Sequence, residues 1–179
     1  MKPEPTASDA AANAALITAF YAGLARRDPE AMIACYTPDV RFSDPVFPDL
    51  DAAGVAAMWR MLCHRGKDLA VVASGVEADA TSGRAHWVAT YTYSATGRHV
   101  ENRIDAVFEF REGRIVRHRD QFDLHRWARQ ALGLKGALLG WLPPVQAAIR
   151  KQAAAALAAW RENRTSGSGS NLRADGGHG

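Results

Sequence analysis

Three side chains of this sequence have the chemistry needed for proton transfer: Asp44, Asp120 and His118. Asp44 precedes a proline in the segment FSDP, and one residue separates His118 from Asp120 in the segment RHRDQ. Two carboxylates at an apolar cavity have their pKa values pushed apart by desolvation and mutual repulsion, so that one becomes an acid and the other a base. A histidine beside them can take up a proton near neutral pH or polarise a carbonyl group.

Each of these side chains also has an ordinary structural interpretation. An aspartate before a proline commonly closes an Asx turn or caps a helix, which would account for Asp44. Asp120 can pair with Arg119, with His118 or with a backbone donor at a strand end. His118 can be a solvated residue at a sheet edge. The residue types alone leave both interpretations open.

Composition and charge indicate one globular domain with a basic C-terminal part. The chain has 179 residues, of which 47% are hydrophobic and 23% charged, enough to build a core. Up to Asp123 it has 14 basic against 17 acidic residues, and beyond Asp123 it has 8 against 2. The basic residues are spread along helical segments and are not clustered with aromatic residues, so nucleic-acid binding is not expected.

The cysteines and the N-terminal sequence favour a cytoplasmic protein. Cys35 and Cys63 lie in apolar helical patterns and form no metal-binding or redox motif, so we expect buried free thiols in a reducing compartment. The first residues lack the charged and then apolar layout of a secretory signal. No apolar run approaches the roughly 18 residues that span a bilayer. Neither a metal site nor an organic cofactor is expected.

Helical periodicity dominates the first third of the chain. Apolar residues recur at helical spacing around Phe20, and Asp28 followed by Pro29 supplies the start of a second helix. Tyr36 is placed on the apolar face of this second helix, before a short strand over residues 40–43. The segment DAAGVAAMWRMLCHRG predicts a third helix with one apolar stripe.

The middle of the chain changes to strand-like periodicity. Four segments rich in β-branched and aromatic residues predict strands: DLAVVASGVEA, GRAHWVATYTYSATG, RHVENRIDAVFEFREG and RIVRHRDQFD. The pairs Thr96–Gly97 and Glu112–Gly113 are typical of tight hairpin turns. Consecutive hairpins indicate an antiparallel sheet. The expected fold class is therefore α+β, with a curved antiparallel sheet wrapped around the N-terminal helices.

More helical sequence follows the sheet. Residues 125–163 are predicted to form a helical extension with an apolar loop, and residues 1–11 and 164–179 are predicted to be disordered. The loop exposes several leucines and Trp141 unless something covers them. A homodimer contact and a cap over a pocket mouth are the favoured explanations. Peripheral contact with a membrane surface is a third, because basic residues accompany the apolar ones.

The order of three helices and a strand meander resembles the nuclear transport factor 2-like superfamily, which includes ketosteroid isomerases, limonene-epoxide hydrolases and SnoaL-like polyketide cyclases. The segment AMIACYTPDVRFSDP is similar to the isomerase pattern, and GRIVRHRDQFDL is similar to the end of the epoxide hydrolases. The resemblance covers residues 12–124 and implies a cone-shaped, SnoaL-like domain. Its pocket would be lined by the first helix, the FSDP turn and the inner face of the sheet.

The resemblance also implies roles for individual residues. Asp44 matches the general base of the isomerases, and Asp120 matches the water-activating aspartate of the epoxide hydrolases, with His118 assisting. In this register alternate strand residues face the pocket. The residues expected to line the substrate pocket are Phe20, Trp59, Trp87, Tyr91, Asn102, Ile104 and Phe122.

The sequence departs from both catalytic patterns. The hydrogen-bond donors of the isomerase oxyanion hole are replaced by Phe20 and Ala106, and the second aspartate and the arginine of the hydrolases by Ala89 and Trp87. Removal of one oxyanion donor costs roughly 3 kcal/mol of transition-state stabilisation. Steroid isomerisation by the family mechanism is therefore not expected.

Two functions follow from these observations. The first is a cytoplasmic, homodimeric enzyme without a cofactor, which would use Asp44, Asp120 and His118 to isomerise, cyclise, dehydrate or hydrate a small apolar molecule. The second is a non-catalytic module of the same fold that binds a small ligand or another protein. The two retained carboxylates favour the enzyme, whereas the missing donors and the apolar extension favour the binding module.

Overall fold

The computed structural model describes residues 7–169. Its elements in chain order are α1 (Ala7–Ala25), α2 (Pro29–Ile33), β1 (Tyr36–Ser43), α3 (Ala52–Arg65), β2 (Ala70–Ala78), β3 (Ser82–Tyr93), β4 (Arg98–Arg111), β5 (Arg114–Gln121), α4 (Leu124–Leu132), α5 (Leu134–Leu139) and α6 (Pro143–Gly169). The fold class is α+β, which confirms the prediction from the sequence pattern.

Aspartate side chains fix the starts of α2 and α3. Asp28 accepts a hydrogen bond from the backbone N–H of Ala31 at 3.0 Å, directly before α2. Asp51 accepts one from the backbone N–H of Gly54 at 2.8 Å, directly before α3. Each carboxylate satisfies a backbone donor that the first helical turn leaves without a partner. The local sequence therefore determines where these helices begin.

The five strands form one curved, open sheet in the order β1-β5-β4-β3-β2. The strands β2 to β5 are antiparallel neighbours, and Glu112 and Gly113 in the β4–β5 turn both have positive φ, as a type I′ turn requires. However, β1 runs parallel to β5. The prediction of an antiparallel sheet is therefore wrong for this pair. A hairpin joins only antiparallel neighbours, whereas β1 and β5 are connected through the rest of the sheet, which allows them to pair in parallel.

The second helix ends earlier than its periodicity suggests. The helix α2 stops at Ile33, and Tyr36 is the first residue of β1, paired with Ile115 of β5. The expected position of Tyr36 on a helix face is therefore wrong. Apolar residues from Tyr36 to Phe42 alternate with polar ones, as in a strand. Pairing with β5 stabilises this strand, so the segment does not continue the helix.

The inner face of the sheet is buried against the helices, and its outer face is exposed. In β4 the side chains of Ile104, Ala106 and Phe108 are buried, whereas Arg103 and Asp105 between them are exposed. The inner side chains join those of α1 and α3 in one hydrophobic core. The alternation follows the faces predicted from strand periodicity.

The helical extension packs back onto the domain. The helix α4 lies against β4, α5 against α4, and α6 against α3. The ring of Trp160 in α6 lies 5.0 Å from the ring of His64 in α3, and Leu157 of α6 is buried. The helix α6 therefore packs on α3 as part of the same domain.

The chain ends differ in part from the prediction. The helix α1 begins at Ala7 and α6 ends at Gly169, so residues 7–11 and 164–169 are helical where the sequence predicted disorder. The remainder of the two predicted segments, residues 1–6 and 170–179, lies outside the described residues. Between residues 7 and 169, no helix has the length and apolar character needed to cross a membrane.

Candidate active site

A cavity of about 350 Å³ lies between α3, the inner face of the sheet and α6. Its walls are mainly apolar and aromatic, and they include the carboxylates of Asp44 and Asp120. The sheet contributes Trp87, Ala89, Tyr91, Tyr93, Asn102, Ile104, Asp120 and Phe122, and the helices contribute Met58, Trp59, Met61, Leu62, Ile149, Ala153 and Ala156, among others. Two acidic groups thus share a mainly apolar wall, which also includes Arg65 and the neutral polar side chains of Thr92, Ser94, Asn102 and Gln152.

Asp120 lies on the inner face of β5 at the cavity wall and is only 5% exposed. Its Oδ1 atom is 3.0 Å from Nε2 of His118 and accepts a hydrogen bond from the indole N–H of Trp87 at 3.3 Å. Both contacts fall on the same oxygen atom. Buried carboxylates are tolerated when donors of this kind satisfy them, so the two rings hold the side chain in one orientation.

His118 lies behind Asp120 and is completely buried. Its imidazole is surrounded by the rings of Phe20, Phe42 and Phe108, with ring centroids 5.4, 5.1 and 4.4 Å away. It is therefore not a solvated edge residue, and it does not contribute to the cavity wall. Direct contact of His118 with a substrate carbonyl, one of the roles expected from the sequence, does not agree with this position.

Tyr36 completes a buried chain of hydrogen bonds. Its hydroxyl group is 2.8 Å from Nδ1 of His118 and accepts a hydrogen bond from the indole N–H of Trp59 at 3.1 Å. All these polar atoms are satisfied when Tyr36 donates to Nδ1 and His118 carries its proton on Nε2, which then donates to Asp120. In this arrangement the imidazole donates to the carboxylate of Asp120 and fixes its orientation at the cavity.

Asp44 closes a turn and also faces the cavity, so its two interpretations from the sequence are compatible. Its Oδ1 atom accepts hydrogen bonds from the backbone N–H groups of Val46, at 2.6 Å, and Phe47. Burial in the cavity wall and, to a smaller extent, the negative charge of Asp120 together raise the pKa of Asp44 from 3.8 to about 7, against these two hydrogen bonds. Asp44 is thus partly protonated at neutral pH.

Six of the seven residues expected to line the pocket lie in the cavity wall. They are Trp59, Trp87, Tyr91, Asn102, Ile104 and Phe122. The seventh, Phe20, is fully buried in the core, where its ring packs against Tyr36, Trp59 and His118. The expectation for Phe20 is wrong because these three rings enclose its side chain, whereas Leu24, one helical turn further along α1, does reach the cavity wall.

Sequence reasoning missed Tyr36 and the contribution of α6. The alternation of apolar and polar residues from Tyr36 to Phe42 was a usable signal for a strand that would turn Tyr36 toward the core. The cavity residues Ile149, Ala153 and Ala156 of α6 follow helical spacing, but nothing local indicates which surface they cover.

Two hydrogen bonds connect the helical extension to the cavity. Arg150 of α6 donates from Nε to the backbone oxygen of Pro45 at 2.8 Å, next to Asp44. Trp127 of α4 donates to the hydroxyl group of Tyr91, also at 2.8 Å. The extension therefore closes the cavity and holds two parts of its wall. In the described part of the chain, no group of three or more His, Cys, Asp or Glu side chains is arranged to hold a metal ion.

Many solved structures share this fold. A candidate polyketide cyclase from Xanthomonas campestris pv. campestris is 22% identical, with 69% of this chain and 98% of that chain covered and a TM-score of 0.56. An LEH-like epoxide hydrolase from M. tuberculosis is 18% identical, with 75% and 98% covered and a TM-score of 0.56. A candidate SnoaL-like polyketide cyclase from Jannaschia sp. CCS1 is 13% identical, with 73% of this chain and 99% of that chain covered and a TM-score of 0.63.

These identities are low enough that the structural likeness shows the fold alone. Among curated protein sequences no significant match was found. The sequence profile of the SnoaL-like domain, in contrast, matches residues 17–118, which is more than half of the chain and runs from α1 to His118 in β5. The chain therefore belongs to the SnoaL-like domain family.

Proposed function

We propose that this protein is an acid–base enzyme that needs no cofactor and acts on a small, largely apolar molecule, with Asp120 as the general base and Asp44 as the general acid. The observation that carries the proposal is the hydrogen-bond chain from Tyr36 through His118 to Oδ1 of Asp120, which ends at the wall of the cavity. A chain that serves packing alone has no need to end on a carboxylate at a cavity.

The two carboxylates have different roles in this proposal. The donors of His118 and Trp87 both occupy Oδ1 of Asp120, so the second oxygen is the one available to take a proton from carbon or from water. His118 acts as a positioning residue, because it holds the carboxylate and does not itself touch the substrate. Asp44, with a pKa of about 7, holds a proton that it can deliver at the other end of the substrate.

The cavity defines the class of substrate. A volume of about 350 Å³ with aromatic walls suits a compact ring-forming or ring-containing molecule. Asn102, Thr92, Ser94 and Gln152 supply neutral polar groups in the wall. The fold neighbours include candidate polyketide cyclases and an epoxide hydrolase. Ring closure by proton abstraction beside a carbonyl, and addition of activated water, are the two reactions that fit an anionic base facing a neutral acid.

The position of Trp87 also supports Asp120 as the general base. In the resemblance to the epoxide hydrolases, Trp87 and Ala89 stand where the residues that hold the catalytic carboxylate are expected. The indole of Trp87 nevertheless donates a hydrogen bond to Asp120. The holding function is thus taken over by Trp87 and His118, and the missing arginine does not argue against a base at Asp120.

The proposal is tested by isotope exchange and turnover. Native mass spectrometry of the purified chain and a panel of small apolar ketones and epoxides would first identify a ligand. With that ligand, Asp120→Asn is expected to lower turnover by at least about a hundredfold and to keep binding, because the amide preserves the Oδ1 acceptor. Asp105→Asn, on the exposed face of β4, is the matched control and is expected to be active. Unchanged turnover in Asp120→Asn would refute the base.

A second candidate function is a non-catalytic module that binds a small ligand in the same cavity. It is favoured by Phe20 and Ala106, because neither can donate a hydrogen bond where the resemblance assigns oxyanion donors, and both are buried. Binding of a ketone without exchange of its α-protons for deuterium, in the wild-type chain and in Asp120→Asn alike, would select this function. The two buried free cysteines, Cys35 and Cys63, agree with the proposed cytoplasmic location for either function.

A further inference from the structure

The helix α5 and the turn after it expose four large apolar side chains. Leu134, Leu138, Leu139 and Trp141 have exposed fractions of 82%, 70%, 47% and 61%. Leu134 and Leu138 are four residues apart, so they point to the same side of α5, and the indole N–H of Trp141 in the following turn donates a hydrogen bond to the backbone oxygen of Leu138 at 3.2 Å. We call these four residues the α5 patch. Surface leucines occur singly in many proteins, but a group of this kind marks a contact surface.

The α5 patch is not needed for packing inside the chain. The helix α5 contacts α4 through glycine: a Cβ atom added at Gly136 would lie 1.9 Å from the backbone oxygen of Ala128, and one at Gly140 would lie 2.9 Å from the Cβ atom of Ala128. The two helices therefore approach through their backbones. The leucines and Trp141 remain on the opposite side, free to meet something else.

The segment that contains the α5 patch carries only basic charges. From Leu124 to Arg161 the chain has no aspartate and no glutamate, and its charged residues there are Arg126, Arg129, Lys135, Arg150, Lys151 and Arg161. Of these, Arg129, Lys135, Lys151 and Arg161 are exposed. Apolar side chains and a tryptophan within a basic surface are complementary to anionic lipid headgroups above an apolar layer. Two copies of the same surface would instead repel each other.

We propose that the α5 patch docks this protein on the surface of an anionic bilayer. Leu134, Leu138 and Trp141 enter the boundary between headgroups and acyl chains, and Lys135 and Lys151 contact the anionic headgroups. The contact is peripheral, because within residues 7–169 no helix can cross the membrane. This surface lies outside the residues 17–118 that match the SnoaL-like domain, so docking is a property of the extension. It does not depend on the proposed enzymatic function.

Co-sedimentation of the full chain with vesicles tests the proposal. The wild-type chain is expected to pellet with vesicles of phosphatidylcholine mixed with phosphatidylglycerol, and much less with phosphatidylcholine alone or at high salt. The double substitution Leu138→Ser and Trp141→Ser is expected to weaken binding at least about tenfold. Lys135→Gln with Lys151→Gln is expected to weaken it about twentyfold, since each cation near the surface contributes about fivefold.

Two matched controls separate docking from general surface effects. Val72→Ser removes an apolar side chain that is 66% exposed on β2, and Arg114→Gln removes an exposed cation at the start of β5. Both are expected to bind vesicles as the wild type does. The substituted residues are exposed, so unfolding transitions should not move.

Three results would overturn the proposal. The first is no binding to anionic vesicles at low salt, and the second is equal binding by the wild type and the patch variants. The third is a dimer in sedimentation equilibrium that does not bind vesicles and that is lost in the Leu138→Ser and Trp141→Ser variant. The last result would assign the α5 patch to a second copy of the chain.

Discussion

The hydroxyl oxygen of Tyr36 lies 2.8 Å from Nδ1 of His118 in the fully buried interior of the domain. Because Trp59 already donates its indole proton to this oxygen, the proton of Tyr36 points to His118. The remaining proton of the imidazole then lies on Nε2 and faces Asp120. The carboxylate of Asp120 is thus oriented from behind by Tyr36 and His118, which do not line the cavity, and this is the preorganisation that the proposed proton transfer would require.

The first prediction concerns Tyr36 itself. The Tyr36→Phe variant leaves Nδ1 of His118 and the indole N–H of Trp59 buried without partners. Each unsatisfied buried group costs about 1–3 kcal/mol, so the free energy of unfolding is expected to fall by about 3 kcal/mol. Urea denaturation measures this change. Tyr93→Phe is the control, because within the described residues the Tyr93 hydroxyl makes no hydrogen bond; equal losses in the two variants would contradict the buried chain.

The second prediction concerns the stability of the protein as a function of pH. The pKa of Asp44 is raised by burial from 3.8 to about 7, so between these values the folded chain holds a proton that the unfolded chain releases. The contribution of Asp44 to stability is therefore full below pH 4 and is lost as the pH rises through 7. Asp44→Asn is expected to be more stable than the wild type by about 4 kcal/mol at pH 8 and equally stable at pH 4.

Urea unfolding at the two pH values measures this difference. Asp105→Asn, an exposed carboxylate on the outer face of β4, is expected to show little change at either pH. A loss of stability in Asp44→Asn at pH 8 would show that the ionised carboxylate stabilises the fold, and would contradict the assignment of Asp44 as an acid.

The third prediction concerns α6 as a wall of the cavity. Ala156→Leu adds apolar volume on the side that faces the cavity, whereas Ala155→Leu adds the same volume on the exposed side. The first variant is expected to bind a small apolar fluorescent probe such as anilinonaphthalene sulfonate about tenfold more weakly, and the second is expected to bind it as the wild type does. Equal affinities in the two variants would show that ligands do not reach α6.

The sequence predicted most of the fold because its strongest signals are local. Period-two alternation in β4, in the register that the family resemblance implied, placed Ile104 and Ala106 inward, and the Glu112–Gly113 pair marked the last hairpin. The parallel pairing of β1 with β5 was missed because these strands are far apart in the sequence. No local sequence pattern indicates which edge of the sheet a distant strand will pair with.

The site was only partly predictable for the same reason. Asp44 and Asp120 were found from residue type and from family resemblance, and both face the cavity. For His118 the sequence left an inward position beside Asp120 and a solvated position both open, because its neighbours Arg117 and Arg119 make the segment look solvated. The helix α6 closes the cavity from more than a hundred residues beyond the Asp44 turn, through contacts such as that between Arg150 and Pro45.

The central claim is that one cavity wall carries an acid and a base, and carbon-detected NMR titration of the aspartate carboxyl groups tests it most directly. In the wild type, the Asp44 carboxyl is expected to titrate near pH 7. In Asp120→Asn it is expected to titrate at a lower pH, because the neighbouring negative charge is gone. A midpoint for Asp44 near pH 4 in both proteins would contradict the account.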